Sequence, residues 1–173
     1  MILSGNEIIK NLGKNIIIEP FVRENVNPNS YNLRLYNELM IYEDSMLDAS
    51  KKNKTKSILI PDNGYVLQPG QLYLGRSLEY TETHGLVPIL QGRSSLGRLG
   101  VTVHITAGFG DVGFCGYWTM QLTCIKPIKI YPHMKICQIY YQTILGDFDE
   151  YDSKKYQNNS SIQASRLYEE LSK

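Results

Sequence analysis

The stretch YVLQPGQLYLGRSLEY, residues 65–80, and the runs around it determine the fold class. Each run is short and rich in β-branched and aromatic residues, and Pro or Gly separates it from the next. The others are SILIP (57–61), GLVPILQG (85–92), GVTVHITAGF (100–109), GYWTMQLTCI (116–125) and KICQIYYQTI (135–144). QPGQ at 68–71 predicts a type II turn. Many short strands at regular spacing predict a mostly β fold, a distorted barrel or jelly roll.

The N-terminal region combines one helix signal with one strand signal. Ser4 and Glu7 form a capping box, which predicts a short helix ending near Gly13. Its apolar face consists of Ile8, Ile9 and Leu12. In NSYNLRLYNEL the apolar residues alternate with period two, which predicts a half-buried strand. Residues 43–56 are polar without a period and predict an exposed loop.

Length and charge limit the function classes. A chain of 173 residues suits one domain. It has 18 Lys and Arg against 17 Asp and Glu, a net charge of +1, which argues against a nucleic-acid partner. The N-terminus lacks the apolar run of a signal peptide, and no segment is long and apolar enough to span a membrane. We therefore expect a cytoplasmic protein.

The three cysteines, Cys115, Cys124 and Cys137, form no CxxC pair. This spacing is typical of reduced residues that pack in the interior. It also lacks the zinc deaminase signature, which needs H-x-E followed by P-C-x-x-C. We therefore expect no zinc cofactor.

The segment GRSSLGRLG, residues 92–100, has two interpretations. Ser94 or Ser95 could cap a short helix while the arginines lie in solvent. Alternatively, the hydroxyls and guanidiniums could bind an anion such as phosphate. Helix caps are far commoner, so these residues alone favour the cap by about two to one.

Two longer segments resemble a known family. GRSSLGRLGVTVHITAGFGDVGFCGYW, residues 92–118, resembles the central motif of the dCTP deaminases, which share a superfamily with the trimeric dUTPases. KYQNNSSIQASR, residues 155–166, resembles their C-terminal substrate-covering segment. The resemblance implies a dUTPase-like homotrimer with sites at the subunit seams. It divides the chain into a β domain, 1–144, and a covering tail, 145–173, and it favours the phosphate interpretation.

The resemblance also assigns the GRSSLGR residues. Arg93 and Ser95 would hold triphosphate oxygens, and Ser94 and Arg98 would lie near the pyrimidine and the attacking water. Helical residues five apart point about 140° away from each other, so the two arginines must serve different places. The alternative for Arg98 is an intersubunit salt bridge.

In AGFGDVGFCG, residues 107–116, the glycines would bring the backbone close to the nucleoside. By resemblance, the Asp111 carboxylate would accept from the sugar 3′-hydroxyl; the alternative is a hairpin-turn aspartate. Phe109 and Phe114 would leave no room for a 2′-hydroxyl. The base edge would be read by the backbone of Ile105, Thr106 and Ala107.

His104, which precedes this stretch, is interpreted as structural or regulatory. In the tail, Lys155 and Tyr156 stand where the family contacts the triphosphate, and Tyr151 is a further candidate. Asn159 aligns with another polar contact. The alternative is a disordered terminus. A Mg²⁺ ion is expected on the triphosphate, held largely by phosphates and waters.

One position departs from the family pattern, because Gln121 stands where the resemblance places the catalytic glutamate. Deamination at C4 requires a group that takes a proton from water, and an amide cannot do this. Three explanations stay open. The glutamine could be an introduced Glu→Gln change, the protein could be a dUTPase-like hydrolase using Asp111, or it could be a relative without catalysis.

The predicted function is hydrolytic deamination of dCTP to dUTP and ammonia, with Gln121, Ser94 and Arg98 at the reaction centre. The alternatives are a dUTP diphosphatase, a bifunctional enzyme, or a non-catalytic sensor of deoxynucleotides. The expected ligands are dCTP and dUTP, with dTTP as an inhibitor.

Overall fold

The computed structural model describes residues 1–103 and 107–171. Its helices are short: α1 Gly5–Lys10, α2 Ser94–Gly97 and α3 Tyr168–Leu171, with a 3₁₀ turn at Arg23–Asn25. Ten strands make up most of the remainder. They are β1 Ile16–Glu19, β2 Tyr31–Tyr42, β3 Thr55–Leu59, β4 Tyr65–Leu67, β5 Tyr73–Thr83, β6 Leu86–Gly92, β7 Val101–Val103, β8 Cys115–Cys124, β9 Ile128–Ile130 and β10 Lys135–Thr143.

Eight of these strands form one antiparallel sheet in the order β6-β10-β2-β5-β8-β7. β1 pairs with β5 and β3 pairs with β2, off this path. The two ends of the path, β6 and β7, contact each other, so the sheet is nearly closed into a barrel. β4 and β9 form a separate two-stranded sheet. The predicted mostly β fold is confirmed.

The core lies inside this sheet and is built by strict alternation. Along β8, the inward residues are buried and the outward residues are only partly so. The outward face of β8 carries Cys115, Tyr117, Thr119, Gln121 and Thr123. The fully buried side chains of the core include Tyr31, Leu33, Leu39, Met120, Leu122 and Tyr141. A period-two strand thus presents its polar face to the surroundings of the barrel.

The turn and the presence of the N-terminal helix are confirmed, but α1 ends at Lys10, three residues before Gly13, so Leu12 lies outside it. Ser4 caps α1 by accepting from the backbone N–H of Glu7 at 3.2 Å. At residues 68–71, Gln71 N–H donates to the carbonyl of Gln68, and Gly70 has φ +79°, as a type II turn requires. Two strands, β1 and β9, were not predicted. Each has only three or four residues, too few for a period to show.

The predicted loop at 43–56 is confirmed except at its end, where β3 begins at Thr55. All three cysteines are free thiols, and Cys124 and Cys137 are buried as expected. Among the described residues, no helix has the length and apolar character needed to cross a membrane.

One buried ion pair lies between neighbouring strands. Glu79 on β5 is fully buried, and its carboxylate accepts from the backbone N–H of Arg34 at 2.8 Å and from Arg34 Nε at 2.6 Å. The Arg34 side chain remains 22% exposed. Removing one partner of such a pair leaves a charge without compensation, which costs more than the pair itself contributes.

We therefore expect Glu79→Ala to lower the free energy of unfolding by about 3 kcal/mol, the low end for buried pairs, since Arg34 keeps some access to water. The control is Lys10→Ala, which removes the exposed pair with Glu7 and should cost at most about 1 kcal/mol. Urea unfolding of both variants is the measurement. Equal losses in the two variants would show that the buried Glu79–Arg34 pair contributes no more to stability than the exposed Lys10–Glu7 pair.

Candidate active site

The GRSSLGR segment lies at an open depression of about 940 Å³. Arg93, Ser94 and Ser95 line it, whereas Arg98 is exposed and is not among the lining residues. The rest of the wall comes from β2 and the residues before it, from α2, β6, β7 and β10, and from Gly108 and Phe109. These residues are Asn27, Pro28, Asn32, Ile89, Leu90, Gln91, Gly92, Gly97, Val101, Thr102, Val103, Gly108, Phe109, Gln138 and Tyr140. This surface is the first depression.

The helix-cap interpretation of the serines is wrong. The N-cap of α2 is Arg93, and its side chain makes no capping hydrogen bond. Instead, Arg93 Nη1 donates to the carbonyl of Lys135 at 3.1 Å, which holds the guanidinium beside β10. Ser94 and Ser95 are exposed at the depression. Their hydroxyls can therefore meet a ligand from solvent.

Gln121 lies in a second depression of about 450 Å³, which shares no lining residue with the first. Its wall combines β8 and the loop before it with the tail. The lining residues are Tyr42, Leu72, Leu74, Ala107, Phe114, Tyr117, Trp118, Thr119, Gln121, Tyr156, Asn159, Gln163, Ala164 and Ser165. Gln121 Oε1 is buried there and has no hydrogen-bond partner among the described residues. A buried acceptor without a donor costs about 1 to 3 kcal/mol.

Asp111 and Tyr151 line a third depression of about 280 Å³, between the 107–114 loop and the start of the tail. Asp111 is exposed, and three more carboxylates, Asp149, Glu150 and Asp152, lie on the same surface. Phe109 is 70% exposed and lines both the first and the third depression. The predicted site residues are thus divided over three surfaces of one chain.

The segment 107–111 touches all three surfaces: Ala107 the second, Gly108 the first and Asp111 the third. It is positioned by Trp118, whose Nε1–H donates to Thr81 Oγ1 at 2.9 Å. A Cβ at Gly110 would lie 2.4 Å from Trp118 Cη2 and 2.9 Å from the carbonyl of Pro88. Only glycine permits this approach.

Two other glycines of this stretch face the tail. A Cβ at Gly113 would lie 2.7 Å from Glu150 Cβ, and one at Gly116 would lie 2.9 Å from Asn159 Nδ2. The sequence interpretation assigned these glycines to close approach of a nucleoside. In the single chain, they instead allow the tail to pack against β8 and the loop before it.

The predicted triphosphate residues of the tail are already engaged. Lys155 Nζ pairs with the carboxylate of Glu170, and Tyr156 Oη accepts from the backbone N–H of Arg166 at 3.0 Å. Asn159 Oδ1 accepts from Tyr117 N–H at 3.2 Å. A triphosphate that bound Lys155 would have to compete with the carboxylate of Glu170 for the ammonium group.

Three predictions, for His104, Ile105 and Thr106, lie outside the described residues. The sequence analysis missed several residues that the structure brings to the depressions, notably Trp118 in the second and Gln138 in the first. Gln138 could have been found, because it alternates with buried residues along β10 and so must point outward.

The architecture defines a class: a mostly β barrel that carries the GRSSLGR segment at an open depression, a glycine-rich loop and a C-terminal tail. A family model described as dCTP deaminase-like matches residues 2–144. The chain therefore belongs to the dCTP deaminase-like family.

Relatives extend the match to the full length. A Clostridium acetobutylicum protein named dCTP deaminase, dUMP-forming, is 59% identical over 171 residues, covering 99% of each chain. A protein of the same name from Cytophaga hutchinsonii is 56% identical over 173 residues, covering all of both chains. The crystal structure of 2′-deoxycytidine 5′-triphosphate deaminase from Agrobacterium tumefaciens shares the fold, with a TM-score of 0.66 at 18% identity. That match covers 81% of this chain and 47% of the other.

The contact between Gly110 and Trp118 generates a prediction. Gly110→Ala should lower the free energy of unfolding by about 1 to 3 kcal/mol, because the added methyl group overpacks the loop against the indole ring. The control is Gly97→Ala, where nothing lies within 4 Å of the new Cβ and alanine favours the helix by up to about 1 kcal/mol. Thermal unfolding of both variants tests this. Unchanged stability in Gly110→Ala would mean that the loop does not depend on the Trp118 contact.

Proposed function

We propose that this chain binds dCTP, with the cytosine in the second depression and its amino group against Gln121. The observation that supports this is Gln121 Oε1, a buried acceptor without a donor. The exocyclic amino group of cytosine is a donor, whereas uracil has a carbonyl at the same position. Pairing with the amino group would remove the penalty of the unpaired acceptor.

The reaction we propose for this family site consumes two waters: dCTP gives dUMP, ammonia and pyrophosphate. The sequence analysis expected dUTP as the product, with a bifunctional enzyme as an alternative. The relatives that match over their full length are named dUMP-forming, which supports the bifunctional alternative. Two hydrolytic steps need two water-activating groups, one at the base and one at the triphosphate.

Gln121 affects the first step only. Its amide oxygen can orient an amino group or a water, but it cannot take up the proton that attack at C4 releases. The loss of a general base costs about 10² to 10⁴ in rate. The Asp111 carboxylate remains available for the triphosphate step. We therefore propose that the chain binds dCTP, deaminates it slowly, and retains hydrolysis at the triphosphate.

A complete site requires a second copy of the chain. Arg93 and Ser95 lie at the first depression and Gln121 at the second, and the two surfaces share no lining residue. The predicted phosphate residues and Gln121 thus open onto different surfaces of one chain. Subunits arranged around a threefold axis would bring the first depression of one copy to the second of its neighbour. We propose a homotrimer on this basis, with Arg98 at the seam.

Mg²⁺ is proposed as the counterion of the triphosphate. Among the described residues that line the first depression there is no carboxylate, so these residues would hold phosphate oxygens and leave the metal to phosphates and waters. Arg93 would orient the phosphates, and Ser95 would donate its hydroxyl. Inhibition by dTTP and a cytoplasmic location stay predictions.

Restoring the carboxylate tests the role of Gln121. Gln121→Glu should raise ammonia release from dCTP by about 10² or more, because the carboxylate can accept the proton of water. The matched control is Gln142→Glu, the same change on β10 outside the three depressions, which should leave the rate unchanged. Ammonia release with Mg²⁺ is the measurement.

The same assay separates the alternatives. Equal, rapid ammonia release from the parent chain and Gln121→Glu would show that another residue is the base. Pyrophosphate from dUTP in both, without ammonia from either, would indicate a dUTP diphosphatase that uses Asp111. Binding of dCTP without either product would indicate a deoxynucleotide sensor.

Arg93 supplies a second test. Arg93→Ala should weaken dCTP binding by about 1.5 to 3 kcal/mol, the contribution of one charged hydrogen bond. Arg23→Ala is the matched control, because Arg23 is exposed and lies outside the first depression. Binding calorimetry gives both affinities. If Arg93→Ala binds dCTP as tightly as the parent chain, the first depression is not the triphosphate site.

A further inference from the structure

A cluster of three different metal-binding side chains lies at the end of β5 and the start of β8. Glu82 and Cys115 face each other directly in the β5–β8 register, and His84 follows Glu82 by two residues. One potential ligand atom from each residue lies within 4.8 Å of the others. Thiolate, imidazole and carboxylate together are the donor set that zinc accepts in a tetrahedral site.

Hydrogen bonds orient the cluster. Tyr80 Oη donates to Glu82 Oε1 at 2.9 Å, which leaves Glu82 Oε2 facing His84 Nε2 at 3.3 Å. On the other side of the ring, His84 Nδ1 lies 3.5 Å from a carboxylate oxygen of Glu150. A proton on Nδ1 would point at Glu150, and the lone pair of Nε2 would then point toward Glu82 and Cys115. A histidine between a carboxylate and a metal is a recurring arrangement in zinc sites.

We propose that Glu82, His84 and Cys115 bind one Zn²⁺ ion, with water as the fourth ligand and Glu150 as the positioning residue for His84. Zn²⁺ displaces the thiol proton, which is released to solvent, and a zinc–thiolate bond forms without any change in oxidation state. The missing zinc deaminase signature concerns a catalytic zinc, whereas the ion proposed here lies away from Gln121. Cys115 lies six residues before Gln121 on the same strand face, about 20 Å away at 3.3 Å per residue.

The local charges are consistent with a cation. The hydrogen bond to Glu82 raises the pKa of His84 above its ordinary value, and Glu150 contributes in the same direction. Burial raises the pKa of the Cys115 thiol, and the negative charges of Glu82 and Glu150 raise it further. Two carboxylates beside a partly buried thiol repel the thiolate. A divalent cation would offset this repulsion and stabilise all four groups together.

The site also joins the barrel to the tail. Glu150 belongs to the tail, and the next residue, Tyr151, donates its N–H to the carbonyl of Val112 at 2.6 Å. Cys115 N–H donates to Gln157 Oε1 at 2.9 Å, and its carbonyl accepts from Asn158 N–H at 2.8 Å. A metal ion bound here would restrain two points of the tail. The proposed role is therefore structural, to hold the tail on β8.

Cobalt substitution tests the site directly. Co²⁺ titrated into the metal-free, reduced full chain should bind with one equivalent and produce the near-ultraviolet absorption of a thiolate–Co²⁺ bond. Zn²⁺ added afterwards should abolish this absorption. Cys115→Ser should remove it, and Cys124→Ala, at a buried cysteine on the other end of β8, should retain it. Circular dichroism of each variant establishes that it is folded.

Glu150→Gln distinguishes a positioning residue from a ligand. It should retain the thiolate absorption but weaken Co²⁺ affinity by about 10-fold to 100-fold, the usual effect of losing a partner behind a metal-bound histidine. His84→Ala should lose affinity by more than Glu150→Gln does. The proposal is overturned if the parent chain shows no thiolate absorption, if Cys115→Ser retains it, or if His84→Ala binds Co²⁺ as tightly as the parent chain.

Discussion

The packing of Trp118 is the constraint on which the rest of the site depends. Its backbone N–H donates to Ser77 Oγ at 3.0 Å and its indole N–H to Thr81 Oγ1, so β8 fixes the ring relative to β5. Gly110 approaches one part of the ring, and Phe114 packs on another with ring centroids 4.5 Å apart. The loop from Gly110 to Phe114 must therefore follow a path that fits around the Trp118 ring.

That loop distributes the predicted site residues over three surfaces of the chain. Its residues reach three depressions in succession, and the groups that would hold phosphate, base and sugar are distributed among them. A short segment anchored on a buried ring cannot turn all its side chains to one surface.

β8 carries two different chemistries on one face. At its start, Cys115 lies opposite Glu82, where a soft thiolate and a carboxylate are suited to a metal ion. Six residues later, Gln121 lies beneath the tail, where an unpaired amide oxygen is suited to an amino group. Strand alternation places both on the outward face, and the strand's length keeps them apart. The tail contacts both regions, through Gln157 at Cys115 and through Asn159 and Gln163 at the second depression.

The sequence alone determined the local features. Period-two alternation identified β2, short β-rich runs between Pro and Gly identified β5, β8 and β10, and the Ser4 cap identified α1, because each depends on neighbours along the chain. Only the tertiary structure decided that Arg93 and Gln121 lie on separate surfaces, that Gly113 and Gly116 receive the tail, and that Glu82 meets Cys115. These relations involve residues about 30 or more positions apart in the chain, and their geometry depends on strand register, which local patterns do not specify between distant strands.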